Sequence, residues 1–245
     1  MQSLISYSIS YTSDRSPGRN RMDSLAYLRL QMGLEGIGLA GEHTIKQVTR
    51  VTSEELPLML LAHLSERNLI AYFSEFLSFD LRAQLSQRVS YIRFPKIEPV
   101  LDVLNSHKID IDTGHYKTYI FPPYTEADPA VTCLSGHDPK VQSFGFDGFA
   151  EQVYVIENKG RIISACVSVR EDKNCGEAWV YTDPAYRRRG LAKKAAGAWA
   201  RSLISIGKVP FYSHKIENLP SARLAAALQL QPVFEEISIT QASSR

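Results

Sequence analysis

Apolar and polar positions along the chain fall into short runs whose period alternates between helix and strand. After the capping pair Asp23-Ser24, Leu25, Leu28 and Met32 recur at helical spacing and predict a short helix. Leu58 to Leu64 and Leu69 to Phe76 are apolar runs flanking Ser65-Glu66-Arg67-Asn68, the pattern of a hairpin loop between two buried strands, although a helix can also be drawn through the first run. Ser78 can cap a helix over Phe79 to Arg88, and Tyr91 to Phe94 is strand-like. Val100, Leu101 and Leu104 predict a helix over Glu98 to His107, and Tyr116 to Phe121 predicts a strand. The first half therefore has the pattern of a mixed α/β domain.

From Pro122 to Gly148 the chain carries Pro122-Pro123, Asp128-Pro129, Gly136, Asp138-Pro139 and Gly145, a density of turn formers that marks a connecting segment. A domain boundary is expected there, near residue 125. The domains expected are a loose tail over residues 1–22, rich in Ser, Arg, Gly and Asn after Tyr11, a smaller α/β domain over 23–125, and a second domain over 126–245.

The second domain is more legible. Gln152 to Glu157 and Arg161 to Arg170 read as strands around Asn158-Lys159-Gly160, where glycine supplies the positive φ of a tight hairpin. After a polar turn, Glu177 to Thr182 forms a third strand, ended by Asp183-Pro184. Leu191, Ala195, Ala198, Trp199 and Ile206 predict an amphipathic helix from Gly190 to Ile206, stopped by Gly207. Val209 to Ser213 is a strand, Pro220 opens a helix through Leu228, and Val233 to Ile239 closes the sheet. The expected order is β-β-β-α-β-α-β.

A basic, glycine-containing turn between a strand and a helix directs unpaired N–H groups at one spot, and the helix dipole adds partial positive charge. Arg187, Arg188, Arg189, Gly190, Leu191, Ala192 and Lys193 form such a turn here. It can equally be a solvated basic loop, and R-x-x-G-x-A alone occurs by chance in roughly a quarter of chains this long. Its position at a strand-to-helix junction, after a three-strand meander, is what gives it weight.

Arg187, Gly190 and Ala192 in that context resemble the [Q/R]-x-x-G-x-[G/A] acyl-CoA motif of the GNAT superfamily of N-acetyltransferases. The resemblance covers residues 150 to 240, through Glu177, VYTDPAYRRRGLA, KVPFYSH, Asn218 and Ser221, and extends weakly to TYIFP in the first half. It implies a mixed, mostly antiparallel sheet flanked by helices, with acetyl-CoA as cosubstrate and an amine-bearing acceptor attacking the thioester directly. It also implies that the backbone of Val180, Tyr181 and Thr182 holds the pantetheine arm, with Asn218 and Ser221 capping a helix or touching CoA. Glu177 is the first candidate for the base, through water, and His214 the second; each can instead be an ordinary ion-pair or hydrogen-bonded residue. Many members place a tyrosine acid about seven residues after the asparagine, where this chain has Ala225, so Tyr212 or Tyr181, or a water, would protonate the leaving thiolate. An acyl-CoA-binding module without turnover is the alternative.

The 245 residues are 44% hydrophobic and 22% charged, ordinary globular usage, and the net charge of +2 points to neither nucleic acid nor membrane as a partner. Cys133, Cys166 and Cys175 lack the spacing of a zinc site or a disulfide framework, and the histidines from His43 to His137 lack ligand spacing, so no metal is expected. No apolar run is long enough to span a bilayer, and a cytoplasmic location is expected.

Overall fold

The structure, a computed structural model, describes residues 23–48, 56–64, 69–123, 128–146 and 151–242. In chain order the elements are α1 (Ser24–Leu34), β1 (Ile37–Leu39), β2 (Thr44–Gln47), β3 (Met59–Leu64), β4 (Leu69–Ser74), α2 (Phe79–Val89), α3 (Glu98–Ser106) and β5 (Ile111–Ile120). There follow β6 (Thr132–Ser135), α4 (Pro139–Phe144), β7 (Gln152–Asn158), β8 (Arg161–Glu171), β9 (Cys175–Thr182), a 3-10 turn (Pro184–Tyr186), α5 (Leu191–Ser205), β10 (Val209–Lys215), α6 (Leu219–Ala227) and β11 (Gln231–Gln241).

The strands make one mixed sheet in the order β1-β2-β4-β3-β11-β5-β10-β9-β8-β7-β6. Only the β2–β4 and β9–β10 pairs are parallel. The segment near residue 125 falls between β5 and β6, and the sheet runs across it: β5 lies between β10 and β11, and β11 lies against β3. Both faces are covered. One carries α1, whose Tyr27, Leu28 and Met32 pack with Leu60, Ile120, Phe211 and Val233, and, over β7 to β9, α4. The other carries α2 and α3 over β3, β4 and β11, and α5 and α6 over β8 to β10. Polar side chains on the covered parts of the central strands, Glu177 and Glu236 among them, are therefore buried.

Local chemistry accounts for the element ends. Asp23 accepts from Ala26 N at the start of α1, and Ser78 accepts from Leu81 N at the start of α2. In the β7–β8 hairpin, Lys159 (φ 50°) and Gly160 (φ 78°) both take the left-handed conformation that a two-residue turn of this hand requires.

The segment expected to be strand at Tyr91 to Phe94 is a turn, with an isolated Arg93–Lys96 bridge and with Tyr91 N and Ile92 N donating back to Arg88 O and Val89 O. Ile92 and Phe94 pack against the core beneath α2 and α3, but Tyr91 is exposed and Pro95 can donate no ladder hydrogen bond, so the run has no edge to extend. The turn-rich stretch after Pro122 contains β6 and α4 as well as connecting chain; Pro139 sits at the first helical position, where its missing N–H is not needed. The tail at 1–22 and the loop expected at 65–68 lie outside the described residues.

Candidate functional site

The basic turn after β9 is tied back to the strand it leaves. Arg187 Nε donates to Thr182 O at 3.2 Å, and the Arg187 guanidinium lies 6.0 Å from the centre of the Tyr181 ring. Arg188 takes φ 63°, and Gly190, at φ 74°, is the N-cap of the 15-residue α5. A side chain on Gly190 would meet no atom within 4 Å, so its left-handed backbone alone favours glycine there. The helix's first backbone bond runs from Lys194 N to Gly190 O at 3.2 Å; the N–H groups of Leu191, Ala192 and Lys193 have no backbone acceptor among the described residues. Arg188, Arg189, Gly190 and Lys193 are exposed around this end, while Lys194 is engaged by Asp128 at 3.1 Å. The turn is an exposed, positively charged cradle of the kind that binds anions.

Next to it the sheet opens. β9 and β10 pair only at Cys175–Val209, Gly176–Pro210 and Glu177–Phe211. Beyond that rung, β9 continues through Ala178 to Thr182 paired with β8 alone, and β10 continues through Tyr212 to Lys215 paired with β5 alone. The inner edge of Val180, Tyr181 and Thr182 is thus free of a strand partner, and the opening begins beside Glu177.

Glu177 is 5% exposed and faces the α1 side of the sheet. Arg170 grips one of its oxygens, donating to Oε2 from Nε at 2.9 Å and lying 2.6 Å from it through Nη2, while Oε1 makes no hydrogen bond among the described residues. Tyr212 projects to the opposite face, among Trp199, Ala225 and Leu228. Its phenol pKa is raised, chiefly by burial and in part offset by a hydrogen bond with Ser221. Ser221 lies in the first turn of α6, where its N–H donates to Asn218 Oδ1 at 3.1 Å. Ala225 is buried one turn further along, so the phenol in this region is supplied by the strand instead of the helix.

His214 stacks on Tyr119, ring centres 5.5 Å apart. Its Nδ1 is 2.8 Å from Lys215 O, which can only accept, so Nδ1 carries the hydrogen and Nε2 presents a buried lone pair without a partner. The sequence-predicted residues therefore divide: the basic turn and Val180 to Thr182 follow one another along the end of β9, Glu177 lies beside the opening on the α1 side, and His214, its ring 6.2 Å from that of Tyr212, lies with Tyr212, Ser221 and Asn218 on the other side.

On the α1 side, Glu177 borders a cavity of about 580 Å³ that extends as far as His214. Three of its charged residues were not anticipated from the sequence: Glu35, the C-cap of α1; Arg170, near the end of β8; and Glu236, inside β11. Arg170 Nη2 lies 3.6 Å from Glu35 Oε1 as well as gripping Glu177. Glu236, 7% exposed, makes no hydrogen bond or ion pair among the described residues. Its pKa stands well above the usual carboxyl range, first because of burial and then because Glu35 and Glu177 repel its charge, with Arg170 opposing. The available signal was Glu235-Glu236 in the middle of the Val233 to Ile239 strand: two consecutive glutamates in a sheet covered on both faces put at least one inside.

Residues 145–235 match the family model described as GNAT acetyltransferase. That segment, from before β7 into β11, is similar to a GNAT acetyltransferase. Among solved structures the chain is similar to a GNAT-family protein from Novosphingobium aromaticivorans, at 20% identity over 54% of this chain and 66% of that one, with a TM-score of 0.46. It is similar also to an acetyltransferase of the GNAT family from Colwellia psychrerythraea (12% identity, 71% of this chain and 77% of that one, TM-score 0.47). A third is a GCN5-related N-acetyltransferase from Sphaerobacter thermophilus (14%, 74% and 76%, TM-score 0.46). The chain spans just under two thirds of the Novosphingobium protein. No curated protein matches it.

Cys166 and Cys175 are buried and their thiol pKa values are pushed up by desolvation, as befits core residues and not nucleophiles. Among the described residues, no three or more His, Cys, Asp or Glu side chains are grouped to hold a metal, and no helix is long and apolar enough to cross a membrane.

Proposed function

We propose that the protein is an N-acyltransferase that moves an acetyl group from acetyl-CoA to an amine by direct attack. The observation that carries this reading is the continuity of the anion cradle at Gly190 with the unpaired inner edge of β9, which opens beside a buried carboxylate.

In this reading the backbone of Leu191, Ala192 and Lys193 and the side chains of Arg187, Arg188 and Arg189 take the CoA pyrophosphate. Val180 to Thr182 offer backbone hydrogen bonds to the pantetheine amide and an N–H to the thioester oxygen as it gains charge. Asn218 and Ser221 flank the same opening from α6. The amine nitrogen bonds to the thioester carbonyl carbon, the carbon–sulfur bond breaks, and CoA leaves as a thiolate. Glu177 removes the amine proton through water from Oε1, the oxygen Arg170 leaves free, with the Nε2 lone pair of His214 as the second base. Tyr212, kept protonated by its raised pKa, returns a proton to the thiolate.

One observation favours a second reading, an acyl-CoA-binding module that does not turn over: Ala225 is packed into the core with no phenol on α6 at that place.

Titration calorimetry with acetyl-CoA and CoA tests the site. Gly190→Asp puts a carboxylate in open space at a left-handed position that Asp tolerates, and Gly190→Asn is its neutral control. Loss of binding in Asp with retention in Asn is expected. No wild-type binding at millimolar ligand would remove the acyltransferase reading; binding with no thiol release across an amine screen would leave the binding module.

A further inference from the structure

The cavity beside Glu177 has more negative than positive groups. Glu35, Glu177, Glu236 and the exposed Asp112 line it, against Arg170 and Lys215. Arg170 is already shared between Glu35 and Glu177. Lys215 is exposed and lies 6.0 Å from the centre of the Tyr116 ring. Glu236 is therefore a buried carboxyl, more than nine-tenths covered, that borders the cavity and has no hydrogen-bond or ion-pair partner among the described residues.

We propose that this cavity takes an acceptor carrying a second positive charge, a linear diamine or polyamine, with one ammonium held by Glu236 and the other nitrogen directed to Glu177 and the β9–β10 opening. The proposal rests on the acyltransferase reading for which nitrogen reacts, and on the cavity alone for what binds. A nitrogen that attacks a thioester must have lost its proton, so it cannot also be the cation that keeps a buried carboxylate ionised. The counter-ion of Glu236 has to be a group that does not react. On the strand that carries Glu236, Ser238 and Thr240 line the same cavity and offer hydroxyl oxygens to an ammonium; Leu56, Pro57 and Leu60 offer apolar wall to the methylenes between the two nitrogens.

The charges facing Glu236 come from Glu35 on α1, Arg170 on β8 and Glu177 on β9, with Asp112 on β5 and Lys215 on β10 at the cavity edge. Burial and the two glutamates keep its carboxyl protonated above the usual range, and an arriving cation reverses that balance. Binding of the diamine then releases a proton.

Calorimetry without acyl-CoA tests this on the whole chain, using 1,5-diaminopentane and 1-aminopentane at pH 7 in two buffers of different ionisation enthalpy. The diamine is expected to bind at least about tenfold more tightly, roughly the worth of one charge-assisted contact. It is also expected to release up to one proton per site. Glu236→Gln, nearly isosteric, is expected to abolish both the preference and the proton release while leaving acetyl-CoA binding unchanged. Equal affinity for the two amines, no binding of either, or an unchanged preference in Glu236→Gln overturns the proposal. Because the amine titrations contain no acyl-CoA and the CoA titration no amine, either reading can fail while the other stands.

Discussion

Arg170 and Glu177 face each other across adjacent antiparallel strands, where a register shift between Ser168 and Arg170 brings the guanidinium to within 2.6 Å of the carboxylate. Their side chains are 15% and 7% exposed, and Glu35 and Glu236 crowd the same guanidinium. Removing the arginine strands Glu177 without its counter-ion. Arg170→Met is expected to destabilise the fold by about 3–5 kcal/mol, the usual consequence of breaking a buried pair from one side. Arg170→Met combined with Glu177→Gln is expected to recover a large part of that loss. Urea unfolding of the three variants at pH 7 measures both; equal stability of the single and double variants would show that the pair is not coupled.

Glu236 predicts how stability depends on pH. Its folded-state pKa is raised, so between the unfolded value, about 4.3, and the folded value the native state holds more protons than the unfolded chain. Stability then falls as pH rises through that window. Glu236→Gln cannot ionise and is expected to lose less stability from about pH 5 upward, the gap widening by about 1.4 kcal/mol for each pH unit until the folded value is reached. Chemical denaturation at pH 5, 6, 7 and 8 reads this directly, and parallel curves for the two proteins would exclude a raised Glu236.

The hairpin at Lys159-Gly160 and the helix behind Gly190 were legible because their causes are local: positive φ at a turn, and apolar residues at helical spacing after a glycine cap. The element order of the second half followed from the same kind of signal. The place of β5 did not. Tyr119 pairs with Tyr212 on one side and Pro232 on the other, partners about a hundred residues away that no local pattern names. The cavity was hidden for the same reason. Glu35 ends a helix, Arg170 ends a strand and Glu236 sits in a third element, and each is unremarkable until the sheet puts them around one space. Tyr91 to Phe94 failed in the opposite direction, since a strand-like composition does not supply an edge to pair with.

Trp199 couples the cradle helix to the strands it covers. It is 1% exposed, its Nε1 donates to Ser168 Oγ at 2.9 Å, and its ring meets Phe121 edge-on at 5.6 Å. Ser168 passes its own hydrogen to Glu171, which also receives Lys208 Nζ at 2.7 Å. Trp199→Phe removes one donor and part of the volume, and is expected to cost about 2 kcal/mol. The midpoint of thermal unfolding should fall, while acetyl-CoA affinity, set by the exposed end of α5, stays within about twofold at a temperature where the variant is folded.

Tyr212 tests which group protonates the leaving thiolate in the acyltransferase reading. As the proposed proton donor it has a phenol held protonated by burial, a hydrogen-bond partner in Ser221, and a position just beyond the last β9–β10 rung. Tyr212→Phe keeps the ring in its core and removes only the hydroxyl, so about 1 kcal/mol of stability should be lost with the hydrogen bond. If the phenol protonates the leaving thiolate, kcat measured by thiol release should fall about 100-fold or more with KM for acetyl-CoA little changed, because the proton is needed in the transition state and not in the ground state. The raised pKa adds a second reading: the wild-type rate should not decline through loss of the phenolic proton until the pH exceeds the ordinary tyrosine value of about 10. A Tyr212→Phe enzyme with wild-type kcat would assign protonation of the thiolate to water and leave Tyr212 as a core residue filling the space beside Ala225.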